Sequence, residues 1–169
     1  SAGLMLGKLW NYTVKNCEIA YQQRQGTDPD GCGVDFENYT HYSTLSNCNI
    51  HNCAGVGVMF FNNSGDVHDH DTIDFCTFQY NSQNVGNIGY YEIYFSVPNA
   101  NNYGSITNNK YYQMTGVSFI NSYDPSVTVS NNTMVSSWTA SAGFSSIQGM
   151  NQWYYQEWNG STYSNMTWD

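Results

Sequence analysis

The stretch of this 169-residue chain best equipped for chemistry is Asp30-Gly31-Cys32-Gly33-Val34-Asp35-Phe36-Glu37. Val34 and Phe36 alternate with Asp35 and Glu37, so a strand here turns the apolar pair inward and sets both carboxylates on its outer side. Two residues of strand separate the carboxylates by roughly 6.5–7 Å at the backbone. Side-chain rotation then covers the ~5–9 Å range used by paired carboxyls in glycosidic-bond hydrolysis. Such catalysis also needs one carboxyl shifted toward its protonated form by its neighbour or by burial. Glu92, within Tyr90-Tyr91-Glu92-Ile93-Tyr94, is expected beside this pair together with Met59. Tyr90, Tyr91 and Tyr94 would shape a sugar subsite there. His51, following an inward Ile50, is expected near the same cleft as a proton shuttle or hydrogen-bond partner. Two other readings of Asp35 and Glu37 stand beside catalysis: a solvated strand face, and calcium binding.

A second cluster, Asp66-Val67-His68-Asp69-His70-Asp71, alternates its two imidazoles and surrounds them with carboxylates. In an extended loop His68 and His70 would point the same way. Asp66, His68, His70 and Asp71 could then hold Ca2+ or another divalent cation. The order matches neither the His-Glu-x-x-His of helical zinc sites nor the twelve-residue EF-hand loop, and a polar surface loop is the competing reading. The hydrolytic reading itself requires no cofactor. No Gly-x-Ser-x-Gly elbow or phosphate-cradling loop is present.

The elements that would position these groups repeat. Val14-Lys15-Asn16-Cys17-Glu18-Ile19 returns as Leu45-Ser46-Asn47-Cys48-Asn49-Ile50, Ile73-Asp74-Phe75-Cys76-Thr77-Phe78, Ile106-Thr107-Asn108-Asn109-Lys110-Tyr111 and Val129-Ser130-Asn131-Asn132-Thr133-Met134. Repeats 20–35 residues apart mark a solenoid. Gly3-Leu4-Met5-Leu6, Gly33-Val34-Asp35-Phe36, Gly57-Val58-Met59-Phe60, Gly116-Val117-Ser118-Phe119 and, faintly, Gly143-Phe144-Ser145-Ser146 supply a second short strand per repeat. Helical periodicity is almost absent, so the pattern predicts an all-β parallel β-helix of about five to six coils over residues 1–147. A propeller is the weaker alternative. Cys17, Cys48 and Cys76 would stack inward and continue as an asparagine ladder through Asn109 and Asn132, while Cys32 and Cys53 sit in turns where they could pair. Residues 21–31, 61–71 and 96–104 read as extra loops, expected to collect on a binding face. Residues 148–169, rich in Trp and Tyr, read as a C-terminal aromatic cap or hairpin, or the start of a following module.

Composition narrows the partners. Lys and Arg total 4 against 13 Asp and Glu, giving a net charge of −9, while 40% of residues are hydrophobic and 17% aromatic. That core content excludes a disordered chain. So acidic a surface is a poor match for nucleic acid or for anionic membranes. Neutral poly- or oligosaccharides and cations fit better, because aromatic faces stack on sugars and Asn and Asp side chains bind hydroxyls. The chain opens directly in repeat sequence, so flanking β-helix coils or domains of a longer, secreted or cell-surface protein are expected.

Over residues 1–147 the sequence resembles the right-handed parallel β-helix proteins of the pectin-lyase-like superfamily. The resemblance rests on Thr44-Leu45-Ser46-Asn47-Cys48-Asn49-Ile50-His51-Asn52-Cys53-Ala54-Gly55-Val56-Gly57-Val58-Met59-Phe60. The stretch from Asp30 to Glu37 is similar to a coil of large secreted bacterial β-helix glycoside hydrolases. That likeness implies a carbohydrate-active module with Asp35 and Glu37 as its carboxylates. The uronate lyases of the group pair a basic residue with calcium-binding acids, which this chain, with only Lys8, Lys15, Arg24 and Lys110, does not offer beside its acidic strand. The alternative is a non-catalytic glycan-binding or structural segment of an adhesin or multidomain enzyme.

Overall fold

The computed structural model describes residues 2–24, 31–63, 66–84, 89–97, 102–112 and 114–135, together with the backbone of 156–158 and 163–165. The first coil carries β1 (Leu4–Gly7), β2 (Thr13–Lys15) and β3 (Glu18–Ala20); the second carries β4 (Val34–Glu37), β5 (Thr40–His41), β6 (Thr44–Ser46) and β7 (Asn49–His51). The third coil contributes β8 (Val58–Phe61), β9 (His68–Asp69), β10 (Asp71–Asp74) and β11 (Thr77–Gln79). The fourth contributes β12 (Tyr91–Phe95), β13 (Gly104–Thr107) and β14 (Lys110–Tyr112), and the fifth β15 (Ser118–Ile120), β16 (Val127–Ser130) and β17 (Thr133–Val135). Three five-stranded sheets result, ordered β1-β4-β8-β12-β15, β2-β6-β10-β13-β16 and β3-β7-β11-β14-β17, with every recorded pairing in them parallel. This is a right-handed β-helix of about five coils, as the repeat predicts.

In-register pairing turns each apolar position into a column. In the first sheet Leu4, Val34, Val58, Ile93 and Ile120 align, and beside them Leu6, Phe36, Phe60 and Phe95. The three phenyl rings stack at 4.7 and 4.5 Å with interplanar angles of 20° and 4°. Val14, Leu45, Ile73, Ile106 and Val129 line the second sheet, and Ile19, Ile50, Phe78, Tyr111 and Met134 the third. The middle members are fully buried and form one continuous core.

The turn from second to third sheet explains the repeated motif. Asn16, Asn47, Phe75, Asn108 and Asn131 all have φ between 51° and 57°, the left-handed conformation that Asn tolerates best among residues with a side chain. The next residue points inward and must satisfy backbone groups there. Asn132 Nδ2 donates to the Ile106 carbonyl (2.8 Å) and its Oδ1 accepts from Asn109 N (3.0 Å). Asn109 repeats this against the Ile73 carbonyl (3.1 Å) and Cys76 N (2.8 Å). In the cysteine coils the thiols of Cys48 and Cys76 donate to the carbonyls of Ser46 (3.3 Å) and Asp74 (3.5 Å). The five cysteines form no disulfide, so Cys32 and Cys53 are not joined.

Residues 1–136 and 137–169 form two compact units. In the second, β18 (Gln156–Trp158) and β19 (Tyr163–Asn165) pair antiparallel, in keeping with the hairpin expected of this stretch. The faint Gly143–Ser146 element, Asp30, the central residues of the three inserted loops and the side chains of the aromatic run lie outside the described residues.

Replacing Asn109 with Ala removes three side-chain hydrogen bonds from a fully buried position, so Asn109→Ala should lower unfolding stability by about 2 kcal/mol. Phe60→Ala, which empties the middle of the phenyl stack, should cost about 3–5 kcal/mol. Urea-unfolding midpoints compared with the parent chain check both values and their order.

Candidate functional site

Asp35 and Glu37 lie on the outer side of β4, opposite Val34 and Phe36 in the core. Their surroundings are not those of a solvated strand. Asp35 is in register with Met5 on one side and Met59 on the other, followed by Tyr94 in the next coil. Met59, Cys32 and Val56 form a second, small hydrophobic cluster, with Ala2, Phe61, Tyr91 and Tyr94 packed against it. Asp35 is 1% exposed within this setting. Glu37 reaches the half-exposed rim, where it accepts a hydrogen bond from Asn38 Nδ2 (2.9 Å). Tyr91 and Tyr94 stand on this same outer face, stacked at 5.9 Å, and Tyr90 beside them is exposed.

Glu92 is not on that face. Because Ile93 pairs with Val58, Glu92 takes the position held by Gly57, Gly33 and Gly3 in the earlier coils. This corner position points into the solenoid: a Cβ on Gly57 would meet Phe78 Cδ1 at 2.8 Å and Asn81 Nδ2 at 3.0 Å. Glu92 is 1% exposed and accepts from Asn81 Nδ2 (2.7 Å), an amide that also donates to the Ile50 carbonyl (2.9 Å). Burial pushes its carboxyl up to about 7, with the Asn81 hydrogen bonds opposing the shift. Glu92 is thus an interior acid, separated from Asp35 by the sheet itself.

His51 is also placed elsewhere. It lies in the third sheet, in register with Ala20 and Gln79, where Nε2 meets Glu18 Oε1 (2.8 Å) and Asn52 Nδ2 donates to Nδ1 (3.0 Å).

The Asp66–Asp71 segment is extended only in part, at β9 and at the start of β10. His70 has φ 58°, which breaks the alternation between the two imidazoles. His68 and Asp71 turn inward and are bridged by Thr40: Oγ1 lies 2.6 Å from His68 Nδ1 and donates to Asp71 Oδ2 (2.5 Å). Asp71 Oδ1 accepts from Ser43 N (3.0 Å). Since the threonine hydroxyl has one proton to give, this order assigns the Nδ1–H tautomer to a neutral His68. Burial holds the imidazole down at about 4 and pushes the Asp71 carboxyl up to about 6. A cavity of about 10 Å3 adjoins them, lined also by Phe60, Phe95 and Asn102, enough for one water. His70 instead faces outward, and Asp66 is held by backbone contacts to Asn62 and Asn63. The four expected ligands therefore do not converge, and no group of three or more His, Cys, Asp or Glu side chains suited to a metal occurs among the described residues.

A surface that sequence reasoning missed lies at the corner between first and second sheets. Trp10 stacks on His41 at 4.3 Å, and Tyr39 lies parallel to the same imidazole at 5.9 Å. One residue further on, Tyr42, His70 and Tyr103 form a column with centroid distances of 4.8 and 6.1 Å. Asp69 sits between the imidazoles, its Oδ2 3.4 Å from His41 Nδ1 and its Oδ1 2.5 Å from His70 Nδ1. The signal was legible: Tyr42-Ser43-Thr44, His70-Asp71-Thr72 and Tyr103-Gly104-Ser105 each place a ring two residues before a hydroxyl in the second strand. The inserted lengths of residues 61–71 and 96–104 hid the alignment.

Comparison with family models, with curated proteins and with solved structures returned no match.

The buried acids fix the sign of the pH response. Glu92 binds its proton more tightly folded than unfolded, so its contribution is present at acid pH and is lost as pH rises through about 7. His68 acts oppositely, favouring unfolding as pH falls from 6.5 toward 4, while Asp71 restores stability from about 6 down to 3.8. Between pH 8 and 6.5 Glu92 outweighs the opposing His68, and the parent should gain roughly half a kcal/mol on acidification. Urea midpoints at the two pH values should show that gain in the parent and its disappearance in Glu92→Gln.

Proposed function

We propose that this β-helix is a carbohydrate-active module that hydrolyses glycosidic bonds of a polysaccharide at the outer face of its first sheet. The fold is of a kind that serves carbohydrate-binding and carbohydrate-processing proteins in general. The observation carrying the finer reading is the placement of Asp35 and Glu37 on one outer side of β4, with the Tyr91–Tyr94 stack on the same face. A strand spacing of roughly 6.5–7 Å between alternate residues is compatible with the carboxyl separations of an acid/base pair. One would protonate the leaving oxygen while the other acts as base or nucleophile. An acidic chain with few cations suits an uncharged substrate and a secreted or cell-surface setting, and the chemistry assigned here draws on protein carboxylates alone.

The test is release of new reducing ends from a panel of neutral and acidic polysaccharides, each with calcium and with chelator. Turnover of one substrate class should fall at least 100-fold in Asp35→Asn and in Glu37→Gln, with unchanged circular dichroism. Full turnover in both variants would remove the pair from the mechanism. Silence across the panel from folded protein would move the reading to a non-catalytic glycan-binding stretch.

A further inference from the structure

We propose that the aromatic corner between first and second sheets is a separate carbohydrate-binding surface, taking one strand of neutral polysaccharide laid along the solenoid axis. It shares a ligand class with the hydrolytic reading but uses none of that site's residues.

Trp10 is 67% exposed, Tyr42 51%, Tyr103 45% and Tyr39 42%, and the His70 side chain is 57% exposed. Rings of this size gathered on one contiguous surface mark an interaction site more often than scattered exposed apolar residues do. They are ordered as well as exposed. Trp10 stacks on His41 across the first and second coils, and Tyr42, His70 and Tyr103 climb one ring per coil, at spacings that match or exceed the ~4.8 Å strand spacing. Trp10 gives one face to His41 and keeps most of its surface open. It borders a notch of about 450 Å3 shared with Lys8, Tyr39 and His41, within the size range of small-ligand clefts.

The polar groups complete a carbohydrate's requirements. A sugar ring offers an apolar C–H face for stacking and hydroxyls at its edge. Asp69 engages both imidazoles through Nδ1, which leaves Nε2 of the exposed His70 ring for a hydroxyl. The phenols of Tyr39, Tyr42 and Tyr103 add further donors. Alongside runs a hydroxyl column on the outer face of the second sheet: Thr13, Thr44, Thr72, Ser105 and Thr128, aligned coil by coil. Rings and hydroxyls therefore repeat together along the axis, matching a polymer better than a single sugar.

Charge selects the neutral class. Among the described residues lining the notch Lys8 is the only Lys or Arg, the chain carries −9, and a polyanion would be repelled along most of the ladder.

The probe is native electrophoresis through gels containing soluble β-glucan, xylan or mannan, with polygalacturonate as the anionic arm. At least one neutral polymer should retard the parent chain, and Trp10→Ala/Tyr42→Ala should weaken that affinity at least tenfold. Retardation needs no bond cleavage, so its success or failure is independent of the hydrolysis assay. To guard against a folding defect in the double variant, tryptophan emission of the parent and of Trp10→Phe is compared during oligosaccharide titration. A ligand-dependent change confined to the parent supports the site. Retardation only by polygalacturonate, no retardation by any neutral polymer, or unchanged affinity in the double variant would each overturn it.

Discussion

Each coil of this protein hydrogen-bonds to its neighbours through equivalent residues, and nearly everything else follows from that in-register constraint. Parallel pairing places like positions directly over one another, so a residue is selected both for its own coil and for the column it joins. The phenyl column Phe36–Phe60–Phe95 gains stacking energy from this arrangement. The asparagine column gains reciprocal hydrogen bonds, each amide satisfying a backbone donor and a backbone acceptor of the preceding coil. Cysteine fits the same column because its thiol donates to a carbonyl. It lacks the amide's good acceptor, so the cysteine coils are held by fewer such bonds.

The same constraint decided what was legible in the sequence. The Cys/Asn motif and the first three copies of the Gly-apolar-x-apolar motif have short-range signatures, an αL turn and a two-residue alternation, and they mark the observed strands and their inward residues. In the copy at Gly116 the register slips, and Ile120 rather than Val117 continues the column of Val34, Val58 and Ile93. The side of the strand on which Asp35 lies was legible for the same reason. The cluster of Met59, Tyr91 and Tyr94 on its outer face was not, because alternation specifies direction and says nothing about what packs there. Glu92 shows a different limit. Its residue type suggests solvent, yet its register gives it the corner where earlier coils have glycine. Only the alignment of Ile93 with Val58 shows this. His68 and His70 were read as alternating partners, and the left-handed backbone at His70 sent them to opposite sides of the wall.

Buried polar chemistry in the solenoid is concentrated at corners, where strands end and their carbonyls and amides need partners. The Thr40–His68–Asp71 cluster occupies one corner and Asn81 with Glu92 another. Each is held by side-chain hydrogen bonds that cross between coils, so each ties three chain segments together in addition to the β-ladder. Their protonation preferences oppose one another, His68 held neutral and both acids pushed up, which moderates the protein's response to acid.

The glycine column at the start of the first sheet has an implication for how such a chain can change length. Gly3, Gly33 and Gly57 leave room at their corner for side chains from the following wall, such as Ile50 and Phe78. Any of these coils could be copied beside itself, since its upper and lower surfaces present the same empty corner. The coil bearing Glu92 fills that corner and is matched to Asn81 alone. It acts as a register marker in the glycine column, fixing which coil sits above the one bearing Asn81.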